Sequence, residues 1–321
     1  QRPPSRSSSK STPAPSDPPG ALLCMACSSG AVWRRALAFS SPACRTSTLL
    51  RRRLCSATDA SSSRLVTTEL RDNGVAVLTL NMPKKMNALS EEMGDEFVAA
   101  VKALRAKSPP SLRAAVLTGA GGAFSAGGNL DWLMERHHDA PTNNAAIMRD
   151  FYARFLCVRE LPVPVIAAIN GPAIGAGFAL ACACDFRIAH PEAKLGVTFV
   201  GLGLPPGMGS THWLPTLAGP QVGAEMLLTG QVISGTDALA KGLLLRTAEE
   251  PLEAALTLAE RISAQAPLAV RAAVRALRIG HEQVAGGLEA ALRREADSQA
   301  AVYGSADLAE GVKALQERRR P

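Results

Sequence analysis

Pro164–Gly196 is the most informative stretch for predicting the fold, with the sequence PVIAAINGPAIGAGFALACACDFRIAHPEAKLG. It begins with the apolar run Val165–Ile169, which is typical of a buried strand, and continues into the glycine-rich loop NGPAIGAGFAL at Asn170–Leu180. The loop leads into a predicted helix, and a second short apolar run follows at Phe186–Ala189. Strand, glycine loop, helix and strand in this order predict a parallel sheet covered by helices.

A second glycine-rich loop, GGAFSAGGNL at Gly121–Leu130, has the same setting. It follows Arg113–Thr118, which is predicted to be a buried strand, and leads into another predicted helix. Small residues let a ligand approach the main chain, and a helix N-terminus leaves backbone N–H groups without partners. The two loops therefore predict two N–H groups that converge on one point and form an oxyanion hole. The alternative is that these glycines serve only tight strand-to-helix turns.

The rest of the chain predicts further elements around these loops. Residues 65–80 are predicted to form a β-hairpin, and Ser90 is predicted to cap a helix. Residues 131–145 are predicted to form a mobile connection before a helix over about residues 147–160. The pattern is helical after Gly219, with candidate helices near residues 220–229, 235–241, 250–264, 267–279, 283–303 and 305–319.

The basic charge of the chain belongs to its N-terminal part. The 321 residues have a net charge of +7 and only 4% aromatic residues. Residues 1–64 contain ten Lys or Arg and two Asp or Glu, whereas the remainder has a net charge of −1. This distribution argues against nucleic-acid binding. No apolar run reaches the roughly 18 residues that cross a membrane, so no membrane span is expected.

Residues 1–64 are predicted to be a disordered leader, rich in Ser, Ala, Pro and Arg. Between Met25, a candidate true start, and Arg64 there are seven arginines and one acidic residue, Asp59. This is the composition of an organelle transit peptide. The density of arginine favours the mitochondrial matrix over the plastid or the peroxisome. A plain disordered tail is the alternative.

Three cysteines, Cys157, Cys182 and Cys184, follow the leader and lie in apolar surroundings. Their spacing to other residues is not that of a metal site, so they are predicted to be small buried side chains. Neither a metal ion nor a resident cofactor is expected.

Several segments together resemble the crotonase, or enoyl-CoA hydratase/isomerase, superfamily. The resemblance implies an α/β fold in which a spiral of ββα units spans residues 65–250 and a helical trimerisation region spans residues 251–321. It also implies a homotrimer or a dimer of trimers. The segments that carry it are NMPKKMNALSEEM at Asn81–Met93, VLTGAGGAFSAGGNL at Val116–Leu130, the segment Pro164–Gly196, GLGLPPGMGSTHWLP at Gly201–Pro215, TDALAKGLL at Thr236–Leu244, and SAQAPLAV at Ser263–Val270.

The resemblance also implies the substrate and the parts of its site. The substrate would be an acyl-CoA thioester, with coenzyme A as part of it, and the intermediate would be an enolate. The backbone N–H groups of Gly128 and Ala176 match the family's oxyanion donors. The implied substrate-binding positions are Lys84, Lys85, Asn87, Ala88 and Leu89, which match the family's CoA-contacting loop, together with Ala126 and Phe199.

Two positions depart from the family's pattern. The glutamates of typical hydratases map to Ala179 and Phe199, and neither side chain transfers a proton. Asp131 is the best acidic substitute, although a helix-capping role is the alternative for it. His137, His138 and Tyr152 are further candidates for proton transfer.

The sequence therefore supports three functional hypotheses. The first is a mitochondrial acyl-CoA enzyme of the hydratase/isomerase class, acting in fatty-acid or branched acyl-CoA metabolism. The second is a catalytically silent acyl-CoA-binding protein or structural subunit, since an intact hole without an acid or a base fits it. The third is a decarboxylase of a malonyl-type CoA, because the apolar Phe199 suits a reaction that needs little proton transfer from the protein.

Overall fold

A six-stranded sheet forms the centre of the fold in the computed structural model, which describes residues 64–107, 111–282 and 287–319. The predicted leader, except for Arg64, lies outside the described residues. The sheet consists of β1 (Val66–Leu70), β2 (Val75–Leu80), β3 (Ala114–Gly119), β4 (Val165–Ile169), β6 (Phe186–Ala189) and β9 (Arg246–Thr247), side by side in this order. A smaller sheet contains β5 (Ala173–Ile174), β7 (Leu195–Gly196) and β8 (Val232–Ile233).

The strand directions of the large sheet confirm the predicted topology. β1 and β2 are antiparallel and form the predicted hairpin, while the pairs from β2 to β9 are parallel. Gly74 turns the hairpin with a φ of 79°, and its N–H donates to Arg71 O at 2.9 Å. The α/β fold class is therefore confirmed.

Helices pack around the two sheets. Their bounds are α1 (Glu91–Ala106), α2 (Leu130–His137), α3 (Pro141–Leu156), α4 (Ala176–Ala183), α5 (Ser210–Ala218), α6 (Pro220–Thr229), α7 (Gly235–Ala240), α8 (Pro251–Ser263), α9 (Pro267–Glu282), α10 (Gly287–Val302) and α11 (Ala306–Gln316). The six candidate helices after Gly219 correspond to α6 through α11. None of the described helices combines the length and the apolar content that crossing a membrane requires.

Both faces of the large sheet are covered, which explains why its strands are continuously apolar. Along β3, Ala114 and Val116 belong to a cluster with Ala255 of α8, whereas Ala115 and Leu117 belong to the main core on the other face. Successive side chains of a strand point to opposite faces of the sheet. Because both faces are covered, every position of β3 is buried. The first helix of the region 251–321 thus packs directly on the sheet.

The prediction of a mobile connection over residues 131–145 is wrong, because α2 and α3 occupy that stretch. Asn129 caps α2: its Oδ1 accepts from the N–H groups of Asp131 at 2.8 Å and Trp132 at 3.2 Å. Pro141 occupies the first turn of α3, where a missing N–H is tolerated. The capping role considered for Asp131 therefore belongs to Asn129.

The N-termini of α1 and α5 are held in different ways. Ser90 caps α1 as predicted, with its Oγ accepting from Met93 N–H at 3.3 Å. The sequence gives no signal for α5, which contains Pro215. Its N-terminus is held instead by Glu295 of α10, which accepts from the N–H groups of Gly209 and Thr211 at 2.5 and 2.8 Å.

Candidate active site

The two glycine loops lie side by side at the ends of β3 and β4. Ile174 N–H donates to Ser125 O at 2.9 Å, and Phe124 N–H donates to Pro172 O at 3.1 Å. Gly127 lies close to the second loop: its φ is 91°, and a Cβ there would lie 2.6 Å from Ile174 O. Only glycine fits this position, because both its conformation and the space exclude a side chain.

The backbone hydrogen bonds around Gly128 leave its own N–H directed away from the neighbouring segment at Leu89. Leu89 N–H donates to Gly127 O at 2.7 Å, and Asn129 N–H donates to Leu89 O at 3.1 Å. In this parallel bridge, Leu89 forms hydrogen bonds with the residues before and after Gly128. The N–H of Gly128 itself therefore points away from Leu89. No acceptor for the Gly128 N–H is found among the described residues.

Ala176 supplies a second N–H at the start of α4. Gly175 makes the turn with a φ of 55°, and its own N–H donates to Gly196 O at 2.8 Å. The first N–H groups of a helix have no acceptor within it, and none is found for Ala176 in the described part of the chain. The helix dipole adds positive potential at this end.

Gly128 and Ala176 border the same cavity, which has a volume of about 550 Å³. Apolar side chains from the two loops, α2, α3 and the segment after β7 form most of its wall. Its titratable side chains, among the described residues, are Lys85, Asp131, Tyr152 and Tyr303. The apolar part of the wall includes Leu130, Trp132, Leu133, Met148, Phe151, Ile174, Phe199, Leu202, Leu204, Met208 and Leu315.

The structure divides the predicted substrate-binding residues into two groups. Four of them line the cavity: Lys85, Ala88, Ala126 and Phe199. Three do not: Lys84 is exposed, while Asn87 and Leu89 are fully buried.

Asn87 holds the loop that precedes α1 against the first glycine loop. Its Oδ1 accepts from Met82 N–H at 2.8 Å, and its Nδ2 donates to Ala120 O at 2.9 Å and Ala123 O at 2.8 Å. It adopts a φ of 53°, a conformation that asparagine tolerates better than most residues. Through these bonds, Asn87 fixes the position of Lys85 and Ala88 beside the cavity.

The positions that match the family's glutamates lie in different surroundings. Ala179 is fully buried within α4 and is not part of the cavity wall. Phe199 lies in a 3₁₀ helix at Thr198–Leu202 and lines the cavity. Among the described residues, Asp131 is therefore the one carboxylate that borders the cavity, and it is exposed at the first turn of α2.

The other candidates for proton transfer are placed as follows. His137 Nδ1 lies 2.7 Å from Tyr303 O, and neither His137 nor His138 lines the cavity. Tyr152 does line it, and its hydroxyl donates to Gln299 Oε1 at 2.7 Å. Sequence reasoning ranked Tyr152 behind Asp131 and missed Gln299, which lies 147 residues further along the chain.

The cysteines are buried as predicted. Burial raises the pKa of Cys182 and of Cys184 to about 12, so both remain neutral thiols at physiological pH. Over residues 64–107, 111–282 and 287–319, no group of three or more His, Cys, Asp or Glu side chains is arranged to hold a metal ion.

Asp185 anchors α9 rather than acting at the cavity. Its carboxylate binds Arg278 through both oxygens, at 2.9 and 2.5 Å, and accepts from Val165 N–H at 2.8 Å. Arg187 donates instead to the carbonyl groups of Leu243 and Cys184.

Comparison with known proteins agrees with this architecture. The family model described as enoyl-CoA hydratase/isomerase matches residues 70–321. A probable enoyl-CoA hydratase of Mycobacterium tuberculosis is 42% identical over 188 residues, which are 59% of this chain and 72% of that protein. A crotonyl-CoA hydratase of Syntrophomonas wolfei is 35% identical over 257 residues, which are 78% of this chain and 94% of that protein.

Solved structures share the fold. The crystal structure of an enoyl-CoA hydratase/isomerase from Mycobacterium paratuberculosis superposes with a TM-score of 0.71 at 27% identity, covering 78% of this chain and 98% of that one. Together with the family match over most of the chain, this similarity shows the crotonase fold with its C-terminal helices. The chain therefore belongs to the enoyl-CoA hydratase/isomerase family.

Proposed function

We propose that this protein binds an acyl-CoA thioester and holds the thioester oxygen between the backbone N–H groups of Gly128 and Ala176. The observation that carries the proposal is that both N–H groups border one cavity and have no acceptor among the described residues. The acyl group would occupy the apolar cavity, and Lys85 at its mouth suits the phosphate groups of coenzyme A.

The site would act by stabilising negative charge on the thioester oxygen as an enolate develops. Fixed donors in a dry, apolar cavity stabilise such a charge more strongly than water does. Removal of one donor from a site of this type costs about 3–4 kcal/mol in the transition state. Acyl-CoA processing through an enolate, within fatty-acid or branched acyl-CoA metabolism, is therefore the proposed activity.

Proton transfer is the part of the proposal that separates this chain from typical hydratases. With alanine and phenylalanine at the two glutamate positions, we assign the acid/base role to Asp131, the one described carboxylate at the cavity. The apolar Phe199 in the wall favours a second candidate, decarboxylation of a malonyl-type CoA. A catalytically silent acyl-CoA-binding protein is the candidate that requires no acid or base at all.

Ala176→Pro tests the oxyanion hole directly. Ala176 is the first residue of α4, a position where proline is compatible with a helix, so the substitution removes one N–H and retains the helix. Ala306→Pro is a matched control, since Ala306 is the exposed first residue of α11.

Titration calorimetry with butanoyl-CoA and with free coenzyme A is the measurement. We expect Ala176→Pro to weaken butanoyl-CoA binding about tenfold, the effect of one hydrogen bond, and to leave coenzyme A binding unchanged. Ala306→Pro should change neither. Equal affinities of all three proteins for butanoyl-CoA would show that the Ala176 N–H does not bind the thioester.

Turnover then separates the three candidate activities. Purified protein is supplied in parallel with crotonyl-CoA and with malonyl-CoA, and the products are identified by mass spectrometry. Hydration supports the hydratase/isomerase activity, and release of carbon dioxide supports the decarboxylase. Tight thioester binding without turnover of either compound supports the silent protein.

We also propose a cellular location and an oligomeric state for this protein. The arginine-rich, acid-poor residues 25–64 support import into the mitochondrial matrix. Exposed apolar side chains on α9, Leu268 and Leu277, support assembly into a homotrimer or a dimer of trimers through the C-terminal helices.

A further inference from the structure

Thr198 carries a hydroxyl group that lines the cavity and has no hydrogen-bond partner among the described residues. Tyr152 and Tyr303 supply the other two hydroxyl groups of the wall, and both already have partners inside the protein. Thr198 is half-buried and begins the 3₁₀ helix that also carries Phe199. Within the described part of the wall, its hydroxyl is therefore the one that remains available to a ligand.

The small sheet places Thr198 beside the start of α4. β5 and β7 are parallel, and their last paired residues are Ile174 and Gly196. Gly175 N–H then donates to Gly196 O at 2.8 Å, so the two segments are still in contact where they leave the sheet. Two residues beyond the last pair, one segment reaches Ala176 and the other reaches Thr198. The free hydroxyl and the N–H donor of α4 therefore follow neighbouring strands at the same level.

Gly175 leaves open space in front of the Thr198 hydroxyl. A Cβ at residue 175 would lie 3.8 Å from Thr198 Oγ1, and apart from the adjoining backbone no other protein atom would lie within 4 Å of it. Gly175 itself borders the cavity. A ligand group that approaches Gly175 therefore reaches the hydroxyl without displacing a protein atom.

The chemistry of this hydroxyl suits a partner that carries negative charge. A threonine hydroxyl donates one hydrogen bond, and it does not titrate near neutral pH, so it acts as a fixed donor rather than as an acid or a base. Side-chain hydroxyl groups can supplement backbone N–H groups in oxyanion holes. The adjacent side chain, Phe199, offers no acceptor that would compete for the hydroxyl proton.

We propose that Thr198 is a catalytic residue and the third donor of the oxyanion hole, beside the N–H groups of Gly128 and Ala176. This inference rests on the proposed function, because it requires the thioester oxygen to lie between those two N–H groups. A neutral carbonyl oxygen has two lone pairs, which the N–H groups occupy, whereas an enolate oxygen has three. The Thr198 hydroxyl therefore acts on the enolate more than on the bound thioester, which is the condition for accelerating a reaction.

The same assignment serves both reactions considered above. When water adds to C3 of an enoyl thioester, the electron pair of the double bond moves onto the thioester oxygen. When carbon dioxide leaves a malonyl thioester, the electron pair of the broken carbon–carbon bond moves to the same place. A third donor at that oxygen stabilises either enolate, and Thr198 itself gains or loses no proton.

Acetoacetyl-CoA provides a test that does not depend on turnover, because it forms a stable enolate with its own ultraviolet absorption. The ratio of enolate to keto form is measured for the bound ligand at fixed pH on the full chain. Thr198→Val removes the hydroxyl and keeps the shape of the side chain, and Thr198→Ala removes it with less bulk. Thr198→Ser is the matched control, since it retains the hydroxyl.

We expect the unmodified chain to raise the enolate ratio of acetoacetyl-CoA above that of the free compound. Thr198→Val and Thr198→Ala should lower the bound ratio about tenfold, the effect of one hydrogen bond to a charged group, whereas Thr198→Ser should retain it. The affinity for butanoyl-CoA, measured by titration calorimetry, should be the same in all four proteins. Their melting temperatures report separately on folding.

Three results would overturn the inference. They are an unchanged enolate ratio in Thr198→Val and Thr198→Ala, a loss in Thr198→Ser as large as in Thr198→Val, and a loss of butanoyl-CoA affinity that equals the loss of enolate. Failure of the proposed function has a different signature, because the unmodified chain would then bind butanoyl-CoA no better than free coenzyme A and leave the enolate ratio at its value in solution.

Discussion

Glu295 of α10 accepts a hydrogen bond from Thr211 N–H at 2.8 Å and thereby caps α5, a helix 84 residues earlier in the chain. The Gly209 N–H and the Thr211 hydroxyl donate to the same carboxylate at 2.5 Å each. Glu295 is 3% exposed, so its carboxylate joins two elements deep inside the protein. α10 thus brings both Glu295 and, one turn later, the cavity residue Gln299 to the main core.

The Glu295 carboxylate makes stability depend on pH. Burial raises its pKa to about 7, and the hydrogen bonds from Thr211 and Gly209 offset that shift only in part. Because the folded pKa is above that of the unfolded chain, this contribution to stability is complete below about pH 4.5. It is lost as the pH rises to about 7, by roughly 3 kcal/mol in total.

Glu295→Gln should remove this pH dependence. We expect the difference in unfolding free energy between the unmodified chain and the variant to shift by roughly 3 kcal/mol, in favour of the variant, between pH 5 and pH 8. Denaturant unfolding at several pH values measures that difference. A difference that stays constant across this range would contradict the assignment of the raised pKa to Glu295.

Gly127→Ala should disrupt the contact between the two glycine loops. The new Cβ would lie 2.6 Å from Ile174 O, and φ at this position is 91°. We expect a loss of about 1–3 kcal/mol in stability and weaker binding of butanoyl-CoA. Gly122→Ala is the matched control, since a Cβ there meets nothing within 4 Å. Similar melting temperatures for the two variants would argue against a close contact between the two loops at Gly127.

Asp131→Asn tests the acid/base assignment. The substitution keeps the shape of the side chain and removes its ability to take up a proton. We expect turnover to fall by about 10²–10⁴-fold, while butanoyl-CoA binding is unchanged. Glu135→Gln on the same helix serves as the control, because Glu135 does not line the cavity. Unchanged turnover in Asp131→Asn would assign proton transfer to another group.

Leu277→Glu should weaken assembly through α9. Leu277 is 62% exposed, and a charge there would be buried without a partner in an interface formed by α9. Light scattering coupled to gel filtration should report a smaller species than for the unmodified chain. Leu228→Glu, a substitution at an exposed leucine of α6, should leave the mass unchanged. Identical masses for Leu277→Glu and the unmodified chain would exclude α9 from the interface.

Local patterns in the sequence were sufficient to predict much of the fold. The hairpin around Gly74, the capping of α1 by Ser90 and the strand–loop–helix units at both glycine loops depend on neighbouring residues, so their signals are local. That Gly128 and Ala176 border one cavity was expected from the family resemblance of the two loops.

The parts that sequence reasoning missed depend on contacts between distant residues. α5 contains Pro215 and is capped from α10, so its own residues give no clear helical signal. Gln299 reaches the cavity only because α10 packs on α3. Residues 131–145 are polar, which is typical of a loop, but Asn129 and Pro141 are start signals for two helices there.

The proposed function requires the N–H groups of Gly128 and Ala176 to polarise a thioester carbonyl. The most direct measurement is the infrared spectrum of butanoyl-CoA labelled with ¹³C at that carbonyl, free and bound to the protein. Two hydrogen bonds to the oxygen should lower the stretching frequency on binding, and Ala176→Pro should reverse part of the shift while Ala306→Pro retains it. A bound carbonyl whose frequency equals that in water, with the same value in Ala176→Pro, would contradict the account.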